Sequence, residues 1–364
     1  MGWIIKAVTM LACLCFVSNL LVITTILKNK EYFGNSIVKT AFRAAPAPAN
    51  VSLGDLQGRP LFVFGDSTVD AGNFKITKSP YGVDYHTLGR GRFSNGLTIA
   101  DYLALKIQTE IPQAFNSMGE EELKKNVNVN FASGGCGLLA RTHPMGLFPV
   151  RILCTSFGDQ VMQFVTSTSK NEQLERSVFF MSVGANDYVF SFDGKNSTQF
   201  AEEVLSKLET YLKVLYSCGG ARIFIVNNLA PVGCIPDKRN STTNMCDEVL
   251  NKGVNAFNKQ LEQTLWNFKK ERNAVVFLAD SHLMYVQIRN DPTEFGFTEI
   301  YKPCCGIWNA KSRMFECGEN TTYCHPRTGF LFFDGAHTTD QANDLFVKRC
   351  FSGRLCYPIR APTV

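Results

Sequence analysis

An α/β fold, a three-layer α/β/α sandwich built on a mostly parallel sheet, is what the sequence predicts, and three observations predict it. Short apolar runs alternate with amphipathic helical stretches, the runs are apolar throughout instead of alternating with polar residues, and several of them end in small or polar residues. Helices that cover both faces of a parallel sheet make its strands continuously apolar. Right-handed β-α-β crossovers then account for the alternation of the two kinds of segment.

The elements follow in order. Residues 4–27 are almost wholly apolar, with Lys6 near their start and Lys28 and Lys30 just after them. This is a targeting segment, near the roughly 20 residues that a membrane-spanning helix needs, so residues 1–27 are read as a signal peptide, with a retained signal anchor as the alternative. Residues 28–59 carry Ala-Ala-Pro-Ala-Pro-Ala and no helical or strand period, so they read as an extended leader. A single domain is assigned to 60–356 and a tail to 357–364. Strands are expected at 61–64, 127–131, 178–183, 223–226 and 275–278. Between them Phe200, Val204, Leu208, Leu212 and Leu215 recur at helical spacing, as do Leu250, Val254, Phe257, Leu261, Leu265 and Phe268. The stretches 87–113 and 302–330 look like insertions around that core, and no internal repeat or interdomain linker is found.

Composition narrows the function classes. Among 364 residues, 45% are hydrophobic and 19% charged, which describes a chain with a sizeable core and excludes disordered and fibrous classes. A net charge of +5, with Lys and Arg scattered among acids, speaks against nucleic acid as a partner. Glycosylation sequons at Asn50, Asn196, Asn240 and Asn320 suit export and a secreted, extracellular protein. So do thirteen cysteines, of which Cys13 and Cys15 fall in the targeting segment. Cys234 with Cys246, and Cys304 and Cys305 with Cys317 and Cys324, are close enough to form disulfides, although connectivity stays open. With His325, the second group could instead be imagined as a zinc site, but it lacks paired Cys-x-x-Cys spacing. The odd count implies a free thiol, for which Cys136 and Cys218 are candidates.

Ligands of open parallel sheets bind beyond the carboxyl ends of the strands. Three runs lead there into Gly65-Asp66-Ser67, Ala132-Ser133-Gly134-Gly135 and Gly184-Ala185-Asn186-Asp187. Any one of these could simply be turn chemistry; together they mark one edge as a site. A serine nucleophile needs a base, the base needs an orienter, and the oxyanion needs donors. Of the five histidines, only His337 follows a carboxylate by three residues, in Asp334-Gly335-Ala336-His337. Asp334 could equally cap a helix beginning near Thr338.

These residues carry a resemblance. Phe64-Gly-Asp-Ser-Thr-Val-Asp-Ala-Gly-Asn73, Gly91-Arg-Phe-Ser-Asn-Gly96, Asn130-Phe-Ala-Ser-Gly134, Gly184-Ala-Asn-Asp187 and Phe333-Asp-Gly-Ala-His337 occur in the order of the plant GDSL esterase/lipases of the SGNH hydrolase superfamily. The chain resembles that family from residue 60 to about 350. The resemblance implies a flavodoxin-like sandwich, Ser67 as nucleophile, and a dyad of His337 with Asp334. It also implies oxyanion donors from the Ser67 and Gly134 backbone amides and the Asn186 side chain. Thr68 departs from the motif's Leu, and Gly135 leaves the second donor open by one residue. There is no Gly-x-Ser-x-Gly elbow and no His-Glu-x-x-His. The expected activity is hydrolysis of a lipid or small-molecule ester, with no metal or organic cofactor and with membrane contact only if residues 1–27 are retained. A non-catalytic binding protein and an acyltransferase are the alternatives. Phe190 and Phe192, and Phe295 and Phe297, are candidates for an apolar pocket but read more simply as core or loop anchors.

Overall fold

In a computed structural model, the structure describes residues 51–361 except 75–78, 86–90, 124–127, 143–153, 169–171 and 241. The targeting segment, the leader up to residue 50 and the sequon at Asn50 lie outside the described residues. Strand β1 (Leu61–Gly65) leads to α1 (Ile99–Lys106), β2 (Gln113–Ala114), α2 (Glu120–Leu123) and β3 (Val129–Asn130). Next come α3 (Phe157–Ser167), α4 (Glu172–Arg176), β4 (Val178–Ser182), α5 (Ala185–Phe190) and α6 (Ser197–Ser217). The alternation continues through β5 (Ile223–Asn227), α7 (Glu248–Arg272), β6 (Val275–Ala279) and α8 (Ser281–Asn290). The last part holds β7 (Glu299–Pro303), β8 (Ile307–Asn309), β9 (Met314–Glu316), β10 (Phe330–Phe332), α9 (Asp340–Phe351) and β11 (Cys356–Pro358).

The main sheet has the order β11-β6-β5-β4-β1-β3-β2 and is parallel except for β11. From β1 the chain builds one side through β3 and β2 and the other through β4, β5 and β6. Strand order therefore reverses at β1, which opens a crevice at its carboxyl end. Both faces are covered, which explains the uninterrupted apolar runs. Phe62, Phe64, Phe179, Met181, Phe224 and Val226 point into a core shared with α3, α6 and α7, while Leu61, Val63, Val178, Phe180, Ile223 and Ile225 point into one shared with α1, α8 and α9. At about 1.5–3 kcal/mol for each fully buried large side chain, these two layers supply the main driving force for the sheet. Phe64 stacks on Phe131 at 5.2 Å and meets Phe164 edge-on at 5.7 Å, so the strand that ends beside Ser67 is clamped by aromatic packing.

The long helices start and stop where local chemistry directs. Asp247 caps α7 by accepting from Val249 N and Leu250 N, Lys269, Lys270 and Arg272 lie in its last turn, and Asn273 ends it with a left-handed backbone. Asn196 caps α6, its side chain accepting from Gln199 N.

Several sequence expectations need correction. The fold begins before residue 60: Leu53–Leu56 form a 3-10 turn closed by Ser52 and Asp55, and Leu56 is fully buried. It also runs past 356, because Tyr357 and Pro358 pair with β6 and the Ile359 side chain is buried. Alternating side chains at this terminus add an edge strand where a tail was expected. The stretch 87–113 is only partly an insertion, since it contains the core helix α1. Cys136 is not a free thiol; it bonds Cys154, and Cys218 is disulfide-bonded as well. The cysteines considered for zinc form the disulfides Cys304–Cys324 and Cys305–Cys317, which leaves them no thiolate to offer a metal. Cys234–Cys246 forms as expected, and Cys350–Cys356 ties α9 to β11. Among the described residues no helix is long and apolar enough to cross a membrane.

Candidate active site

Ser67 stands at the switch point because Gly65 lets the chain leave β1 beside β4. A Cβ on Gly65 would lie 2.2 Å from the Ser182 carbonyl oxygen, so no larger residue fits. Both backbone groups of Gly65 are held by the buried Gln160 side chain of α3, at 2.9 Å each, and Asp66 N donates to Ser182 O. Thr68, the departure from the motif's Leu, donates its hydroxyl to Asp66 Oδ1 (2.7 Å) and shares a hydrogen bond with Ser182 Oγ (3.0 Å). It thus stiffens the turn that carries Ser67. Burial pushes the Asp66 carboxyl above its ordinary value, against the hydrogen bonds from Thr68.

His337 reaches this turn from 270 positions away in sequence, with Nε2 2.7 Å from Ser67 Oγ. Its Nδ1 lies 2.9 and 2.8 Å from the two oxygens of Asp334. Asp334 does not cap the following helix; Thr339 does, by accepting from Ala342 N. Asp334 instead accepts from the backbone N–H groups of Ala336 (2.8 Å) and His337 (2.7 Å) and from the Tyr81 hydroxyl (2.6 Å). Burial alone would raise this carboxyl, but the His337 charge and these donors together hold it below the usual range. Burial likewise disfavours a charged His337, yet the charge and hydrogen bonding of Asp334, assisted by Asp66 and Asp237, leave the imidazole above its ordinary value. Phe93, from the Gly91–Gly96 block, lies over the imidazole with ring centroids 4.9 Å apart. The same block anchors itself through the buried pair Arg92–Asp101 and through Asn95 Oδ1, which accepts from Asp340 N at the start of α9.

The loop after β3 departs from the expectation at Gly134. Its N–H is not free to face a substrate: it donates to Asp70 Oδ2 at 2.9 Å. Asp70 is fully buried and also accepts from the N–H groups of Gly72, Asn73 and Phe74. Burial still pushes it up to about 6 against those four donors. Gly135, the next residue, lines the cavity beside Ser67, Asn186 and His337 and has a left-handed φ of 85°. Asn186, in the first turn of α5, donates from Nδ2 to the Cys136 carbonyl at 2.9 Å; a second N–H remains on the same nitrogen. Asp187 is wholly buried and accepts from Leu138 N, Leu139 N and the Thr142 hydroxyl, so it fastens the far end of the same loop.

These groups open onto a cavity of about 270 Å³ whose remaining wall is largely apolar, with Val183, Val189, Phe190, Leu229, Val232 and Ile235. Phe190 thus lines it, Phe192 lines a neighbouring chamber, and Phe295 and Phe297 are core on the opposite face of the sheet. The sequons at Asn196, Asn240 and Asn320 are exposed. Sequence reading missed Tyr81, Phe93 and Asp237. Tyr81 sits between two recognisable blocks and Phe93 inside the second, with no local signature of a role for either. Asp237 follows the Pro231–Pro236 loop; its N–H donates to Gly335 O (2.9 Å), its Oδ1 accepts from Phe315 N (2.7 Å), and burial raises it to about 7. The arrangement can deprotonate a serine hydroxyl and stabilise negative charge on a carbonyl oxygen beside an apolar slot.

The sequence family described as GDSL-like lipase/acylhydrolase matches residues 61–350. A GDSL esterase/lipase of Arabidopsis thaliana is 32% identical over 330 residues, covering 82% of this chain and 89% of the relative. A second from the same plant is 30% identical over 323 residues, covering 81% and 88%. Among solved structures, a lipolytic protein of the G-D-S-L family from Veillonella parvula aligns with 12% identity and a TM-score of 0.38, covering 80% of this chain and 96% of that one. Phospholipase A1 from Streptomyces albidoflavus aligns with 11% identity and a TM-score of 0.35, covering 81% and 99%.

Proposed function

Because the chain belongs to the GDSL-like lipase/acylhydrolase family and is a carboxylic ester hydrolase, we propose that it cleaves esters through an acyl-enzyme on Ser67. His337 Nε2 takes the Ser67 proton as Oγ bonds to the ester carbonyl carbon, and the carbonyl oxygen becomes an oxyanion. The Ser67 and Gly135 backbone amides and the Asn186 side-chain amide receive that charge. When the intermediate collapses, the carbon–alkoxy bond breaks and His337 returns the proton to the leaving alcohol. Water, deprotonated by His337, then releases the carboxylic acid and restores Ser67. Asp334 holds the imidazole tautomer and stabilises its charge, with Tyr81 and two backbone amides neutralising the far side of the carboxylate. Gly135 takes the place expected of Gly134, whose N–H is engaged by Asp70.

The observation that carries this reading is the continuous hydrogen-bonded line Asp334–His337–Ser67, with links of 2.8 and 2.7 Å, at the mouth of an apolar cavity on the switch point of the sheet. The test is labelling by a fluorophosphonate probe alongside turnover of a short-chain aryl ester, in the wild type and in Ser67→Ala. Both signals should vanish in the variant. A folded wild type that neither labels nor turns over would instead favour a binding protein, and product analysis with a competing alcohol separates hydrolysis from acyl transfer. Exposed sequons at Asn196, Asn240 and Asn320, together with disulfides that need an oxidising compartment, support secretion. Amino-terminal sequencing of the exported protein tells whether residues 1–27 are removed.

A further inference from the structure

Beside the apolar cavity lies a second chamber of about 550 Å³, and the two share Val189, Phe190, Asp237, Lys238 and Met314 in their walls. The outer chamber is different in character. Lys238, Arg239 and Arg313 line it, and among the described residues none of the three has a carboxylate within ion-pair distance. Arg239 is 93% buried by its 7% exposure, an unusual place for a guanidinium without an acid. Its terminal nitrogens donate to Asn244 O and to the Tyr285 hydroxyl, its guanidinium lies over the Tyr301 ring, and among the described residues its buried Nε has no hydrogen-bond partner. Burial lowers the Lys238 ammonium despite the attraction of Asp237, and the Arg313 charge lowers it further.

Two carboxylates also line the chamber, and both accept backbone hydrogen bonds. Asp247 accepts from the first N–H groups of α7, and Asp237 accepts from Phe315 N, with burial moving it to about 7. Positive charge therefore exceeds negative charge in a recess that is partly shielded from water, where an anion gains most from meeting it. Trp308 adds an aromatic wall.

We propose that the preferred substrate is a two-ended ester, its acyl chain in the apolar cavity and an anionic group, phosphate or carboxylate, of the alcohol part in the chamber of Lys238, Arg239 and Arg313. This proposal rests on the acyl-enzyme reading for turnover but not for binding. An anion in the chamber balances the excess of positive charge that Lys238, Arg239 and Arg313 leave over Asp237 and Asp247. It also orients the ester, whose acyl chain and scissile carbonyl then sit in the cavity that Ser67 lines.

Three esters with the same acyl chain test this: a monoacylglycerol, the corresponding acylglycerate and the acylglycerol 3-phosphate. The wild type should favour at least one anionic ester over the neutral one by about tenfold in kcat/KM, the size expected of one additional charge-assisted contact. Which anionic ester gains more distinguishes phosphate from carboxylate. The preference should shrink to about twofold in 0.5 M salt and in the double variant Lys238→Gln, Arg313→Gln. Binding of glycerol 3-phosphate and of glycerate to Ser67→Ala, measured by calorimetry with glycerol as the blank, reads the chamber without chemistry. Binding that weakens about tenfold in the added double variant is the expected result. Equal turnover of the neutral and anionic esters, with no binding of either anion to Ser67→Ala, would overturn the proposal. Anion binding with no turnover of any ester would overturn the acyl-enzyme reading and leave the chamber standing.

Discussion

Replacement of Asn186 by Ala removes the one side-chain donor assigned to the oxyanion, and two separate consequences can be worked out. The first is chemical. Loss of a single oxyanion donor costs about 10²–10³ in kcat, or roughly 2.7–4 kcal/mol of transition-state stabilisation, with little change in KM because the contact strengthens only as the oxyanion forms. The second is structural. Asn186 Nδ2 also donates to Cys136 O at 2.9 Å, and losing that bond removes about 0.5–1.5 kcal/mol of stability, or a few degrees in Tm. The variant should therefore fold and remain nearly silent. The assay is kcat and KM for an aryl ester in parallel with a thermal melt. Asn186→Asp should be at least as damaging at similar size, since it places negative charge against both the Cys136 carbonyl and the developing oxyanion. A folded Asn186→Ala protein with kcat within threefold of wild type would refute the role of this side chain.

Other expectations concern the supports of the site. His337 must be neutral to accept the Ser67 proton, and its pKa is raised above 6.5; so kcat/KM should climb with pH along a limb centred above 6.5 and be lost as the imidazole protonates below it. Tyr81→Phe removes a donor from Asp334, leaves that carboxylate more basic, and should move the limb to still higher pH; an unmoved pH–rate profile would count against the link. Gly335→Ala would place a Cβ 1.9 Å from Asp237 Oδ1, so the dyad loop or Asp237 must shift, at about 1–3 kcal/mol in a denaturant melt and with a fall in kcat. Gly134→Ala would press on the Phe93 ring at 2.8 Å and, through it, on His337, so a lowered rate of fluorophosphonate labelling is expected. Cys154→Ser opens a disulfide closing an 18-residue separation, and should cost about 3 kcal/mol and loosen the loop that bears Gly135 and orients Asn186, read as a lower Tm together with lower kcat.

Local sequence carried the strands, the long helices and most of the residues at the site. The runs beginning at Leu61, Val178, Ile223 and Val275 are apolar because helices cover both faces of the sheet, and that demand acts on each run by itself. Stripes such as Val254, Phe257, Leu261 and Leu265 likewise follow from helical geometry over a few turns. The clusters around Ser67, Gly134 and Asn186 were visible because turns at strand ends need small and polar residues. What lay between these elements was not legible. Whether Gly134 or Gly135 faces the substrate depends on a carboxylate 64 positions earlier, Asp70, which consumes the Gly134 N–H once the two loops meet. Tyr81 reaches Asp334 across 253 positions and Asp237 reaches the dyad loop from a different connection, with no local pattern to announce either. The terminal strand at Cys356–Pro358 was mistaken for a tail because three residues show too little periodicity to be read without the β6 edge they cover. Side-chain periodicity and turn preference are settled within a few residues of chain, whereas hydrogen-bond partners and the pairing of charges are settled only when distant segments compete for the same atoms.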